Sequence, residues 1–340
     1  MRRHPRRQPE DEEHENFWKG LARDVLVAGI IVAVVLLALF AYAGNWPPLV
    51  VVESKSMQHG DRESSIGVID TGDMVFQQAA PTRASIVTYL EGRATGYATY
   101  GDYGDVIIFR RAGGATPIIH RAIMYVTLHV NGTADVRDVS GLPDSGWDAR
   151  NLTGPTRNPV FLRSLTIRHM GFERNINLTF SFDTFSSAVE RSGYMTMGDN
   201  NSFRQCRLQR DDCPSGYDPL SWMPRQEDVQ GRARGEIPWI GLIKLTLQPT
   251  DSCCPGGWGD PEAPKNSWDS LLVTLIFLVA LPFILEYAGR GWTKYVSPHL
   301  PRIRWPWKNE RSPGPDRTDS DEDEPIDPEE IPPREGSSEP

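Results

Sequence analysis

The stretch VLVAGIIVAVVLLALFAYAG, residues 25–44, followed directly by NWPPLVVVESKSMQHG, residues 45–60, decides how the chain is read. Its first twenty positions carry no charge. At about 1.5 Å per helical residue they cover roughly 30 Å, the thickness of a bilayer's hydrocarbon core. The spacing therefore predicts a transmembrane helix over 25–44. The β-branched run ending at Val52 then reads as a strand. It leads into two hydroxyls one residue apart, Ser54 and Ser56, with Met57 behind them. On an extended chain residues two apart share a face. Both hydroxyls are thus predicted to point one way, Lys55 toward solvent, and Met57 beneath the surface they form. The tripeptide AYA at 41–43 resembles a signal-peptide cleavage site. The apolar core is longer than the usual roughly 7–15 residues, which favours an uncleaved anchor, and cleavage would leave Ser56 in the product either way.

A second apolar run, LLVTLIFLVALPFIL at 271–285, is short for a span, and Pro282 is expected to kink it. Trp268 and Tyr287 flank it in the manner of interfacial anchors. Arg2, Arg3, Arg6, Arg7, Lys19 and Arg23 precede the first span; Arg290, Lys294, Arg302, Arg304 and Lys308 follow the second. Positive residues stay on the cytoplasmic side. The expected plan is a cytoplasmic tail over 1–24, a first helix over 25–44 and an extracytoplasmic β domain over 45–249. A linker over 250–267, a second helix over 268–288 and a cytoplasmic tail over 289–340 complete it. The plan predicts a multi-pass protein of the cell membrane with both termini inside.

The formal charge of −9 is a property of the tail. Residues 309–340 hold twelve Asp/Glu against three Arg, so the remainder sums to zero. Rich in Pro, Ser and acid, the tail is predicted to be disordered. No basic patch suggests nucleic acid. All four cysteines fall in the outer region. An oxidising compartment would permit Cys206 to close a loop with Cys213, whereas adjacent Cys253 and Cys254 are not expected to pair with each other. No His joins them at zinc spacing, so neither a metal nor another cofactor is expected. The sequons at Asn131, Asn151, Asn177 and Asn200 permit glycosylation.

The outer region is predicted to be mostly β with long polar loops. Short runs such as LVVVE, DMVFQ, DVIIFR, PIIHRAIMYVTLHV, FLRSLTIRH, INLTFSF and WIGLIKLTL are bounded by Gly, Pro, Asp or Asn. Residues 206–236 read as a long turn-rich loop. A serine is a poor nucleophile until a base takes its proton. The bases available outside are few: His59, His120, His129 and His169, with Lys55, Lys244 and Lys265.

Four boxes in order behind an anchor resemble type I signal peptidases. Ser-x-Ser-Met at 54–57 looks like their nucleophile box, and GDVIIF at 104–109 like the strand box after it. PIIHR at 117–121 resembles the box that holds histidine in archaeal and endoplasmic-reticulum members, and MGDNN at 197–201 resembles the family's KGDNN. The texture around residues 52–75, the acidic tail and the scarcity of Lys are similar to haloarchaeal members. The resemblance implies a signal-peptidase-like β catalytic domain and a serine endopeptidase that removes signal peptides from exported preproteins, with the bilayer and the Sec translocon as partners. It implies Ser56 as nucleophile, His120 as base, and Ser54 with the Ser56 N–H as oxyanion donors. It leaves the triad acid open. Asp199 matches the family's first aspartate, but Gln205 stands where the second belongs. An insertion closed by Cys206 and Cys213 would make Asp218 the acid; Asp211, Asp212 or Asp199 alone are its rivals. His59 is a local rival base whose QHGD context reads as a turn, and Asp73 and Asp105 read as turn residues before strands. Two other classes stay open: a noncatalytic glycosylated β ectodomain of adhesion or receptor type, and a Ser–Lys peptidase using Lys244.

Overall fold

The computed structural model describes residues 9–111, 114, 116–185, 189–201, 223–250 and 252–291. Asp211, Asp212, Asp218, Cys206, Cys213 and the acidic tail lie outside the described residues. The chain falls into two units, Met1–Ala280 and Leu281–Pro340.

Among the described residues, two helices are long and apolar enough to cross a membrane. They are α1 (Pro9–Ala43), with its apolar part over Trp18–Ala43, and the C-terminal helix Lys265–Gly291. Their apolar side chains stand exposed, Leu37 at 67% and Val279 at 71% among them. Leaving a large aliphatic group in water forgoes roughly 1.5–3 kcal/mol, which a lipid surround restores. The C-terminal helix continues through Pro282 and starts ahead of the apolar run, so it is long enough to span where the run itself looked short. Trp268 is not the lipid-facing anchor expected of it. It is buried and donates its indole N–H to the Asp260 carbonyl at 3.1 Å.

Between these helices the chain is β-rich. Its strands are β1 (Leu49–Val51), β2 (Met74–Gln78), β3 (Ala98–Thr99), β4 (Asp102–Tyr103), β5 (Val106–Phe109), β6 (Ile118–Leu128) and β7 (Ala134–Asp135). Then come β8 (Trp147–Arg150), β9 (Pro155–Thr156), β10 (Ser164–Met170), β11 (Ile176–Ser181), β12 (Arg191–Met197) and β13 (Val229–Ile237). The main sheet runs β1-β2-β13-β5-β6-β12, with β7 beside β6; a second sheet runs β11-β10-β8-β9. Ladders between these strands are antiparallel. β13 is thus the only strand on that path that joins the pair β1-β2 to the group β5-β6-β12.

β13 corrects the C-terminal part, 229–236, of the turn-rich loop expected over 206–236; residues 206–222 lie outside the described residues. Its sequence, VQGRARGEI, has few β-branched residues, and tertiary pairing overrides propensity. Gly231 lets β2 approach, since a Cβ there would meet the Gln78 carbonyl oxygen at 2.5 Å. Arg232 and Arg234 carry charge out of the sheet toward buried Asp105. Asp105 also accepts from Val87 N and Tyr97 Oη, so its structural role is as expected.

WIGLIKLTL, expected as a strand, contains instead the helix Gly241–Leu247, which we label α3 after α2 (Tyr89–Thr95); the C-terminal helix is α4. A short apolar run does not reveal its period. Leu242 and Leu245 pack with Trp268 and Leu271 of α4 and with Cys253 and Cys254, and that packing selects the helix. Against expectation, the two adjacent cysteines form a disulfide with each other, fully buried.

The largest apolar cluster joins α2, β6, β8, β10, β11 and β12. A smaller one, Val52, Met57, Ile69, Val75, Val106 and Ala233, lies under the Ser-x-Ser-Met turn. Met57 is 1% exposed there, as the sequence suggested. α1 ends against this sheet: Ala43 is buried, its carbonyl accepts Ala79 N at 2.7 Å, and Tyr42 packs edge-on to Phe76.

Candidate active site

After β1 the chain stays extended through Ser54 (φ −146°, ψ 160°) and then tightens into a 3-10 turn, Lys55–Met57. This differs from the uniformly extended chain expected, yet the two hydroxyls still meet, with Ser54 Oγ 3.3 Å from Ser56 Oγ. Lys55 is not the solvated side chain expected. It is mostly buried and its Nζ lies 3.5 Å from Glu262 Oε1.

A cleft of about 580 Å³ opens beside this turn. One wall runs from Leu49 through Ser54 to Ser56, the other from Thr116 to His120, and Lys244 and Ser252 close one side. Ser54, Ser56 and His120, singled out by sequence, thus share one cleft. His120 is 6% exposed, pairs with Ile107 across the β5–β6 ladder, and meets Phe109 edge-on at 6.3 Å between ring centres. Both walls include strand residues that lack a neighbour on one side among the described strands. β1 ends the main sheet, and the β6 register with β12 begins only at Arg121, past Ile118–His120.

The MGDNN loop braces the serine turn. Gly198 lies so close that a Cβ would sit 2.4 Å from the Ser56 carbonyl oxygen. Asn200 Nδ2 donates to the Lys55 carbonyl at 2.8 Å. Asn200 is 6% exposed, so this sequon is no place for a glycan. Asp199 is held by Arg121, whose Nε and Nη2 reach its two carboxylate oxygens at 2.8 and 2.6 Å, and by His59 Nε2 at 3.0 Å. Burial by itself would raise the Asp199 carboxyl; the charge and hydrogen bonds of Arg121, helped by His59, outweigh it and bring it down to about 2.

Arg121, fully buried, also donates to the carbonyls of Thr99, Tyr100, Asp102, Tyr103 and Gly104. It ties the β3–β4 hairpin to the MGDNN loop. Sequence reasoning passed over Arg121, although its place directly after His120 was the available signal. Asp199 stands in this brace beside Arg121, and Asp218, Asp211 and Asp212, its rivals as triad acid, lie outside the described residues.

Lys244 lines the cleft, where its Nζ pairs with Glu53 Oε1 at 2.7 Å. His129 lies elsewhere, between Asp135 and Glu190. Among the described residues no group of three or more His, Cys, Asp or Glu is placed to hold a metal ion. No protein-family model matches the chain, and a search of the curated proteins finds no significant match.

A hydroxyl next to a second hydroxyl, across a cleft from a nearly buried imidazole, has the parts for acyl transfer. These are a nucleophile, a group whose ordinary pKa near 6.5 suits proton transfer at neutral pH, and a neutral donor for an oxyanion.

Proposed function

We propose that this chain is a membrane-anchored serine endopeptidase that cleaves N-terminal signal peptides from exported preproteins, of the type I signal peptidase kind with histidine as base. The observation that carries the reading is the single cleft lined by Ser54, Ser56 and His120, on a β domain flanked by two apolar helices. In this reading residues 45–249 lie outside the cell membrane and both termini inside. An extended peptide adds to the edge of β1 and to the start of β6, with small residues near the scissile bond.

Ser56 Oγ attacks the scissile carbonyl while His120 takes its proton. The Ser54 hydroxyl and the Ser56 N–H hold the oxyanion; such a donor is worth about 3 kcal/mol. His120 passes the proton to the leaving amine, and water then repeats the sequence on the acyl-enzyme. Asp218 is our choice for the group that orients His120. Asp199, engaged by Arg121 and His59, serves loop geometry in this scheme.

The deciding experiment follows one preprotein with alanine at −3 and −1 in membranes holding wild type, Ser56→Ala, His120→Ala, Asp218→Asn or the Asp211/Asp212 double change. Loss of processing in Ser56→Ala and in His120→Ala, with wild type active, supports the reading. Processing that survives Ser56→Ala leaves the noncatalytic ectodomain instead. Because Lys244 shares the cleft, a Ser–Lys mechanism merits its own arm. Lys244→Met at the wild-type rate removes it, and loss of processing in Lys244→Met with normal rates in His120→Ala installs it.

A further inference from the structure

We infer that His59 is a positioning residue for Ser56, pinning the serine turn to the MGDNN loop through Asp199; the inference rests on the peptidase reading above. Three contacts fix the imidazole. Nε2 lies 3.0 Å from Asp199 Oδ2, the ring stacks on Phe172 at 4.0 Å and 8°, and the backbone at Gly101 closes on Cε1, where an added Cβ would come within 2.8 Å. Asp199 is ionised beside Arg121, and a carboxylate only accepts, so Nε2 carries the proton and donates. His59 lies three residues after Ser56, and Gln58 between them is buried, accepting from Thr71 N. The segment from Ser56 to His59 therefore has little freedom. Gly198 presses on Ser56 and Asn200 holds the Lys55 carbonyl. His59 adds the third tie between the same two loops, on the C-terminal side of the nucleophile, and transmits the rigidity of the buried Arg121 to it.

The test uses the full-length chain in membranes and the preprotein with alanine at −3 and −1. His59→Phe keeps the stack on Phe172 and removes the donor; His59→Gln keeps a donor. His59→Phe is expected to lower kcat about tenfold or more with KM little changed, because misplacing a reacting group acts on the chemical step. His59→Gln restores most of the rate. His59→Phe combined with Asp199→Asn is no slower than Asp199→Asn alone, as for two ends of one tie. A wild-type rate in His59→Phe overturns the inference, as do additive losses in the double variant. His59→Gln as slow as His59→Phe also overturns it, since the ring itself would then be moving a proton. Ser56→Ala and His120→Ala run alongside. If these still process the preprotein, the peptidase reading fails first and takes this inference with it; if they are inactive, the His59 results stand on their own.

Discussion

Gly198 leaves no room for a side chain between the MGDNN loop and Ser56. Gly198→Ala must push the Ser56 carbonyl aside, and under the proposed peptidase reading a displacement near 1 Å at the nucleophile costs up to about a hundredfold in rate. We expect preprotein processing to fall by ten- to a hundredfold with a stability loss of about 1–3 kcal/mol; kcat and a denaturation midpoint on one preparation check both. Arg121→Met keeps volume but removes the buried cation that faces the Asp199 carboxylate and a donor to five carbonyls. Breaking a buried pair on one side costs about 3–5 kcal/mol, so the denaturant midpoint should drop sharply even where some activity persists. At this scale the sequence displayed residues that the fold brings into one cleft, but not their restraints. Ser54, Ser56 and His120 stand in short recognisable boxes, whereas the ties of Arg121 and His59 to Asp199 cross 78 and 140 positions and leave no local pattern.

Elements were legible where pattern and environment agree. β6 and β11 alternate or run apolar between turn residues, and α1 contains an uncharged apolar stretch over residues 25–43. β13 and α3 were hidden because their states are set by neighbours: β2 and β5 recruit an arginine-rich segment as a strand, and the base of α4 turns an apolar run into a helix. α2 carried a signal that went unread, the capping box Thr88-x-x-Glu91. Thr88 Oγ1 accepts from Glu91 N and donates to Asp138 Oδ2 at 2.8 Å. Thr88→Ala is therefore expected to destabilise by about 1–2 kcal/mol; thermal unfolding measures it, and Thr88→Ser, which keeps the hydroxyl, should restore most of the loss.

Across the whole molecule, folding should take up protons near neutrality. Burial, with Asp73 adding to it, raises the Asp70 carboxyl to about 7. Burial raises Asp73 to about 6 despite hydrogen bonds from Trp239 N and Asp70 N. Burial and Asp73 raise Glu236 to about 7 despite Gly67 N. Among the described residues Asp70 Oδ1 and Glu236 Oε2 have no hydrogen-bond partner, which makes the ionised forms costlier still. These acids titrate lower when unfolded, so the folded state holds more protons between about pH 4 and 7. Their contribution to stability is therefore greatest at the acid end of that window and falls as pH rises through 6–7. Thermal midpoints should decline from pH 5 to pH 8, and Asp70→Asn should raise the midpoint at pH 8 while flattening the slope. A midpoint that climbs over that range refutes the assignment.

The place of β13 in the main sheet has a temporal consequence. The strands beside Ser56 and those that carry His120 meet as one ladder only when residues 229–237 slot between them. A growing polypeptide must release everything from 79 to 228 first, and such distant pairings close late. A nascent copy would thus hold its two halves apart until residue 237 has been released, so the two walls of the cleft beside Ser56 come together only after that point.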